Sequence, residues 1–348
     1  MNILPILIAI GTYTANTDSQ GIYLLELDIE KQQSQIVNTF AAQNPSFLQY
    51  SAHNNMLYYV EEIGAGTVNS VPLNPEEGSF GSATSLSTQG GAPCHITMSP
   101  DHTTLLASNY SGGNLATFAL AEDGTLTHQQ AVHAFYASSV VPHRQKQSHI
   151  HSAFYSPDAT KVFVQDLGGD HIYQFDANTV TQETPNYLTH KMVAGSGPRH
   201  LTFSPDQRFV YILNELAGTV DVHALNDSGE IDTHLQNIAT DDREGESWCA
   251  EIRLSPDGKF LYASNRAEKN SISVFGVAKD GTLQLLQVTS SEGKGPRHFE
   301  FSSDGNWVIV AHQQSNNISI FARDASSGLL TFSGMKVDIP SPVCVAVL

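Results

Sequence analysis

A short turn motif recurs along the chain at nearly constant spacing, and a hydrophobic run follows each copy. The motif reads SPDH, SPDA, SPDQ, SPDG and SSDG, with a weaker copy in SAHNNMLYYV. Its third position falls at residues 53, 101, 158, 206, 257 and 304, so that successive copies are 48, 57, 48, 51 and 47 residues apart. A repeat of this length is typical of a propeller blade built from four short strands.

Each repeat carries the same order of predicted strands. The eight residues that end in the turn predict the first strand of a blade, in segments 44–51, 92–99, 149–156, 197–204, 248–255 and 295–302. The runs after the turn, such as KVFVQDL and FVYILNEL, are rich in β-branched and aromatic residues and predict second strands. Third strands follow, among them TVDVHAL and SISVFGV.

The two ends of the chain complement each other. The N-terminal part supplies ILIAIGTYT and GIYLLELD, a second and a third strand without a first, and SPVCVAVL (341–348) at the C-terminus aligns with the first strands. Pairing of the terminal strands therefore completes a seventh blade and closes the ring. The fold class is all-β: a seven-bladed β-propeller of four-stranded antiparallel blades, which we expect to be one domain over residues 1–348.

The charge balance restricts the partners of this chain. It has 35 acidic and 17 basic residues, a net charge of −18, which at long range repels nucleic acid and anionic membrane surfaces. We therefore expect neither as a partner, whereas an anionic small molecule can still bind where arginines converge in a cleft. Closed sheet edges make a monomer the expected state.

Other sequence features predict a cytoplasmic protein without a cofactor. Cys94, Cys249 and Cys344 form no CxxC pair, which favours free thiols in a reducing compartment. The apolar start MNILPILIAIGTYT lacks a basic region and a cleavage site, and we interpret it as a strand rather than a signal peptide. Neither a metal-ligand spacing nor a dinucleotide fingerprint occurs, so we expect neither a metal nor a redox cofactor.

Two columns of residues are predicted to meet at one mouth of the central channel. They are the starts of the first strands and the ends of the second strands, because these strands are antiparallel neighbours. The cationic members lie in consecutive blades, and a carboxylate lies among them. These candidates are His149, His151, Arg199, His200, Glu215, Arg266, Arg297 and His298.

The segments around these candidates resemble a known family. HIHSAFYSPDATKVFVQDLGGD, GPRHLTFSPDQRFVYILNEL, AEIRLSPDGKFLYASNR and GPRHFEFSSDGNWVIVAHQQSNNISIF are similar to successive blocks of the propeller-type lactonases. That family holds bacterial 6-phosphogluconolactonases and fungal carboxymuconate-lactonizing enzymes. The resemblance runs from GTYT at Gly11 to the end of the chain, and its DLG, GPRH, NEL and SNR blocks are more specific than the turns. It implies catalysis by His151, Arg199, Glu215 and Arg266.

The sequence thus predicts hydrolysis of a sugar-acid lactone, first of all 6-phosphogluconolactone in the pentose phosphate pathway. Arginines can stabilise the negative charge on the carbonyl oxygen during ring opening, and Arg199 and Arg266 are the candidates. His151 and Glu215 are assigned to proton transfer, with the roles of base and acid left open between them.

The same residues leave room for other substrates and functions. A phosphate is expected to contact His149, Arg297, His298, His200 and Arg144, the last in the longest interval between blades, which can form a lid. The alternatives are a lactonase of unphosphorylated sugars, a carboxymuconate-type cyclase that runs in the ring-closing direction, and a non-enzymatic interaction scaffold.

Overall fold

The computed structural model describes residues 5–348. Within that range it consists of 29 β-strands without a helix, and the strands form seven antiparallel sheets. No segment of this range is a helix able to cross a membrane. The seven sheets confirm the predicted propeller, and we number the blades from the one that contains both chain termini, with strands numbered in chain order.

The strand bounds follow the predicted repeat closely. Blade 1 consists of β29 (Pro342–Val347), β1 (Ile6–Thr12), β2 (Gly21–Asp28) and β3 (Gln33–Ala41). Blade 2 consists of β4 (Leu48–Ser51), β5 (Met56–Glu61), β6 (Thr67–Asn74), β7 (Ser79–Phe80) and β8 (Thr84–Ser87). Blade 3 consists of β9 (Pro93–Met98), β10 (Thr104–Asn109), β11 (Asn114–Leu120) and β12 (Leu126–Ala134).

The remaining four blades have the same order of strands. Blade 4 consists of β13 (Ile150–Tyr155), β14 (Lys161–Asp166), β15 (His171–Asp176) and β16 (Tyr187–Lys191). Blade 5 consists of β17 (Pro198–Phe203), β18 (Phe209–Asn214), β19 (Thr219–Leu225) and β20 (Ile231–Ala239). Blade 6 consists of β21 (Cys249–Leu254), β22 (Phe260–Asn265), β23 (Ser271–Val277) and β24 (Leu283–Ser290). Blade 7 consists of β25 (Pro296–Phe301), β26 (Trp307–His312), β27 (Asn317–Arg323) and β28 (Leu330–Asp338).

The termini close the ring as the sequence predicts. Strand β1 pairs with β29 in antiparallel register, with Ile10 opposite Val345 and Gly11 opposite Cys344. Val345 packs into the core towards blade 7, and Cys344 packs into the core towards blade 2. The last strand therefore fills the inner position of blade 1, and residues 1–4 of the predicted N-terminal strand lie outside the described range.

The apolar residues of each blade pack against both neighbouring blades. In β18, Val210 and Ile212 belong to the cluster shared with blade 4, whereas Tyr211 and Leu213 belong to the cluster shared with blade 6. Successive side chains of a strand point to opposite faces of a sheet, and both faces of a blade are covered. This packing explains why the second strands carry apolar side chains on both faces.

The recurring turn has a local physical cause. In the first full copy, the Ser99 hydroxyl donates to Asp101 Oδ1 at 2.6 Å, and the backbone N–H of Thr103 donates to the same oxygen at 3.1 Å. The residue after the aspartate has a positive φ, as at His102 (59°) and Gly258 (68°). Aspartate and serine satisfy the turn's hydrogen bonds, so the motif fixes the turn without any functional role.

Blade 2 differs from the prediction in two ways. It has a fifth, short strand, β7, which pairs with β6 beside β8. The first strand of blade 2 begins at Leu48, four residues later than the predicted segment 44–51. Asn44 has a positive φ of 45°, and Pro45 lacks the N–H that a ladder requires. The approach to this blade is therefore irregular.

Candidate active site

A repeated backbone hydrogen bond brings the two predicted columns together. In each blade, the residue after the second strand donates its N–H to a carbonyl ahead of the first strand. The acceptor comes directly before that strand, except in blade 2, where it is four residues before Leu48. The seven donor and acceptor pairs are Tyr13 and Ser341, Glu62 and Asn44, Tyr110 and Ala92, Leu167 and His149, Glu215 and Gly197, Arg266 and Trp248, and Gln313 and Gly295, with N···O distances of 2.7–3.1 Å. Both columns therefore surround one mouth of the channel.

A β-bulge directs the residue at the third position of a predicted first-strand segment, which is the second residue of the observed strand. In blade 5 the pairing shifts between Pro198 and His200, so that Arg199 is the extra residue. His151 and Arg297 occupy the same extra position in blades 4 and 7. Bulges commonly re-aim a side chain next to a functional site. Arg199 uses this geometry to reach the backbone of the next blade, where its Nη1 donates to the carbonyl oxygen of Ala250.

Glu215 is the centre of a cluster of three arginines. Its Oε2 lies 3.0 Å from Arg199 Nε and 2.9 Å from Arg266 Nη2, and its Oε1 lies 2.5 Å from Arg144 Nη2. Only 3% of Glu215 is exposed. Burial acts to raise the pKa of this carboxyl, but Arg266, Arg199 and Arg144 outweigh it and lower the pKa to about 2. Glu215 is therefore ionised at neutral pH.

Arg199 and Arg266 also donate hydrogen bonds to backbone carbonyls at the start of blade 6. Arg266 donates from Nη2 to the carbonyl oxygen of Cys249 at 3.1 Å and from Nε to that of Trp248 at 3.3 Å. Burial lowers the pKa of Arg199 to about 10, so that its guanidinium stays charged at neutral pH. These bonds fix both cations in position before a substrate arrives, which is the condition for electrostatic stabilisation of a transition state.

Arg144 reaches the cluster from the loop between blades 3 and 4. Its Cζ lies 5.3 Å from the centroid of the Trp248 ring, and its Nη2 also lies 3.5 Å from the hydroxyl of Tyr110. The loop is anchored by the buried amide of Gln145, which donates to the carbonyl oxygen of Leu167 at 2.9 Å. The long interval between these blades therefore places a cation over the mouth.

His151 lies in the same electrostatic environment. It is 4% exposed, and its Nδ1 lies 3.9 Å from Cys94 Sγ. Burial first, and then the positive charges of Arg199, Arg297 and Arg266, hold the pKa of the imidazole well below its usual range. The ring is therefore neutral at neutral pH and can accept a proton.

Two further candidates lie on other parts of the same mouth. His149 stacks on the ring of Tyr110 with centroids 4.3 Å apart. Arg297 lies over the ring of Tyr13, 5.4 Å from its centroid, and its Nη2 is 3.8 Å from Glu62 Oε2. The hydroxyl of Tyr13 donates to the same oxygen of Glu62 at 2.7 Å. Arg297 thus has its own carboxylate, apart from Glu215.

Several of these contacts are not predicted from the sequence. Tyr13, Glu62 and Tyr110 stand at second-strand ends, so the column pattern contains them without assigning a role. His200 and His298 lie one residue further along their strands, where both are 2% exposed and both contact Glu251 at 3.3 Å. Glu251 could have been found from its place at the fourth position of the predicted segment 248–255, because the two histidines occupy the fourth position of their own segments.

Comparison with known proteins agrees with the fold. The family described as "Lactonase, 7-bladed beta-propeller" matches residues 7–347. The chain is 31% identical over 346 residues to a 6-phosphogluconolactonase of Bacillus subtilis, covering 97% of each chain. It is 32% identical over 330 residues to a 6-phosphogluconolactonase of Formosa agariphila, covering 92% of this chain and 93% of the relative.

A solved structure gives the same result. The periplasmic gluconolactonase of Pseudomonas aeruginosa superposes with a TM-score of 0.92 at 31% identity, over 99% of both chains. The repeat, the closed ring and the match over residues 7–347 lead to one conclusion: the chain belongs to the lactonase family of seven-bladed β-propellers.

Proposed function

We propose that this protein hydrolyses 6-phosphogluconolactone to 6-phosphogluconate, the lactonase step of the pentose phosphate pathway. The observation that carries the proposal is the ionised Glu215 held by Arg144, Arg199 and Arg266, with the neutral His151 in the field of the last two arginines. Such a site offers fixed cations and a proton acceptor within one mouth. The names of the relatives from B. subtilis and F. agariphila support the same substrate.

The reaction needs stabilisation of an oxyanion. Water adds to the lactone carbonyl, and the carbonyl oxygen becomes negatively charged as the new C–O bond forms. Arg199 and Arg266 supply the positive charge for this oxygen, since their backbone contacts hold them in position without substrate. The tetrahedral intermediate then collapses, the bond to the ring oxygen breaks, and that oxygen takes up a proton.

His151 is assigned the proton transfers. Its neutral imidazole takes a proton from the attacking water, and the imidazolium that forms is acidic enough in a cationic site to protonate the ring oxygen. Both carboxylate oxygens of Glu215 are held by arginines, so Glu215 serves to orient these cations. This assignment gives His151 both of the roles, base and acid, that the sequence leaves open between His151 and Glu215.

The balance of charge favours a phosphorylated substrate. The contacts at the mouth join four arginines to two carboxylates, Glu62 and Glu215, which leaves two positive charges for an anion. Arg297, with His149 and Arg144, is assigned to the phosphate because guanidinium groups bind phosphate oxygens in pairs.

The test compares initial rates with 6-phosphogluconolactone and gluconolactone, corrected for spontaneous hydrolysis. We expect the phosphorylated lactone to react faster, and Arg199→Ala to lose at least about 100-fold in kcat. The matched control is Arg208→Ala, an exposed arginine that pairs with Asp206 in a turn. Full activity of Arg199→Ala, or equal losses in both variants, would reject the assignment.

A lactonase of unphosphorylated sugars is the second candidate, because a structural neighbour is named a gluconolactonase. Under that alternative, Arg297→Ala affects neither lactone, whereas our proposal predicts a selective rise in KM for the phosphorylated one. Formation of a lactone from a carboxymuconate would identify the ring-closing reaction. A protein that hydrolyses no lactone and closes no ring would be an interaction scaffold.

We also propose that the protein works as a monomer in the cytoplasm. Within residues 5–348, all three cysteines are free and buried, as suits a reducing compartment. The inner strand β29 pairs with β1 and leaves no gap in the ring. Light scattering after gel filtration and fractionation of native cells test the two parts of this proposal.

A further inference from the structure

A second layer of side chains crosses the channel directly below the mouth. It is formed by residues at the fourth position of the predicted first-strand segments, namely Phe47, His95, His200, Glu251 and His298. Side chains of this layer from distant blades meet: the rings of Phe47 and His298 are 5.7 Å apart, and those of His95 and His200 are 5.1 Å apart. The mechanism above uses none of these residues.

One member of this layer contacts the oxyanion site. Arg199 Nη1 lies 3.3 Å from Nε2 of His200 within hydrogen-bonding geometry. A guanidinium can only donate, so Nε2 of His200 must accept, and the proton of the neutral ring must lie on Nδ1. Burial, with the charge of Arg199, holds the pKa of His200 well below its usual range and keeps the ring neutral.

The protonated Nδ1 of His200 faces a buried carboxylate. It lies 3.3 Å from Glu251 Oε2, and Glu251 is only 3% exposed. Within the described part of the chain, neither atom has a hydrogen-bond partner, and the 3.3 Å contact between them is an ion-pair distance without aligned hydrogen-bond geometry. A buried carboxylate and an imidazole N–H at this distance are each other's natural partners.

His298 approaches the same oxygen from blade 7. Its Nε2 is 3.3 Å from Glu251 Oε2 and 3.2 Å from Arg253 Nη2. The backbone N–H of Val345 donates to Nδ1 of His298 at 3.2 Å, and a guanidinium N–H of Arg253 faces Nε2, so these two contacts require an acceptor at both ring nitrogens. A neutral ring has one acceptor nitrogen, so the contacts of His298 do not fix its tautomer. Glu251 Oε2 lies 3.3 Å from one ring nitrogen of each of the two histidines.

We propose that Glu251 is a positioning residue for the lactonase reaction. It holds His200 in the tautomer protonated at Nδ1, so that Nε2 remains an acceptor and fixes the guanidinium of Arg199 under the oxyanion. Without the carboxylate, the proton can move to Nε2, where it faces an N–H of Arg199, and the guanidinium loses one of its contacts. This inference rests on the proposed function for its kinetic consequence, and on the structure alone for the tautomer.

The kinetic test uses four variants. His200→Leu and Glu251→Gln should lower kcat about 10- to 100-fold with little change in KM, the range expected when a residue behind an active group is lost. His200→Gln should recover much of the rate, because its amide oxygen can accept from Arg199. His95→Leu is the matched control: the ring is equally buried in the same layer but does not contact Arg199, and kcat should stay at the wild-type value.

A spectroscopic test does not depend on activity. Long-range ¹H–¹⁵N spectra of histidine-labelled protein report the protonated nitrogen of each ring, and the signals of His200 are assigned by their loss in His200→Leu. We expect a proton on Nδ1 in the wild type and a shift towards Nε2 in Glu251→Gln.

Several results would overturn the proposal. A His200 proton on Nε2 in the wild type is one, and wild-type kcat in His200→Leu is another. Equal losses in His200→Leu and His95→Leu would show a structural role only. If Glu251→Gln does not fold, the comparison of His200→Leu with His200→Gln still decides the question. If the wild type hydrolyses no lactone, the proposed function fails, while the tautomer of His200 remains measurable.

Discussion

Replacing Glu215 with glutamine should destabilise the protein by an amount that depends on pH. The three arginines lower the pKa of this carboxyl from 4.5 to about 2. At about 1.4 kcal/mol per tenfold change in proton affinity, that drop corresponds to roughly 3 kcal/mol of stability at neutral pH. Glu215 is almost fully buried, so solvent screens this contribution little.

The direction of the pH dependence follows from the lowered pKa. Between pH 4.5 and about 2, the unfolded chain binds a proton at this position and the folded chain does not, so acid favours unfolding. The stabilisation is therefore complete above pH 4.5 and disappears as the pH falls through 2. Glutamine resembles the protonated carboxyl in shape and charge, so the two proteins should have equal stability at the acid end.

The assay is urea unfolding of the wild type and Glu215→Gln at several pH values between 2 and 7. Only the difference in the free energy of unfolding between the two proteins is used, because the other carboxylates titrate alike in both. We expect roughly 3 kcal/mol at pH 7 and a value near zero at pH 2. A difference that is the same at every pH would refute the reasoning, since it would show that the glutamate acts through its shape and not its charge.

Three further predictions concern the same site and the buried thiols. Arg144→Gln removes one of the three cations around the glutamate and should lower kcat/KM about tenfold, a loss near 1.4 kcal/mol; steady-state kinetics with unchanged activity would contradict its role at the mouth. The kcat/KM for the lactone should stay flat from pH 8 to well below 6.5, because His151 keeps its neutral, basic form down to its lowered pKa; a midpoint at 6.5 in the pH profile would argue against this base. Burial raises the pKa of Cys94, of Cys249 to about 11 and of Cys344 to about 12, so Ellman's reagent at pH 8 should find no reactive thiol in the folded protein and three after denaturation.

The ring architecture could be predicted from the sequence because its signals are local. Each turn needs serine and aspartate at fixed positions, and each second strand must be apolar on both faces because blades cover it from both sides. The bounds of β17 and β18, Pro198–Phe203 and Phe209–Asn214, therefore agree with the segments GPRHLTFS and FVYILNEL. The late start of β4 at Leu48 was not predicted, because it depends on backbone angles before the strand.

The same regularity predicted which residues share the mouth. Antiparallel pairing of first and second strands places Arg199 and Glu215 side by side in one blade, and one blade further round the ring it places Arg266. Closure of the ring through β1 and β29 was also visible, since the two ends of the chain supply complementary parts of one blade.

The distances between blades were decided only by the tertiary structure. The reach of Arg144 from its loop to Glu215, the pairing of Arg297 with Glu62, and the place of Glu251 between two imidazoles all join residues of different blades. Such contacts depend on the diameter of the channel and on the direction of each bulge, which the packing of all seven blades sets together. A repeat in the sequence specifies each blade through neighbouring residues, whereas the charges and tautomers of the site follow from side chains that meet across the ring.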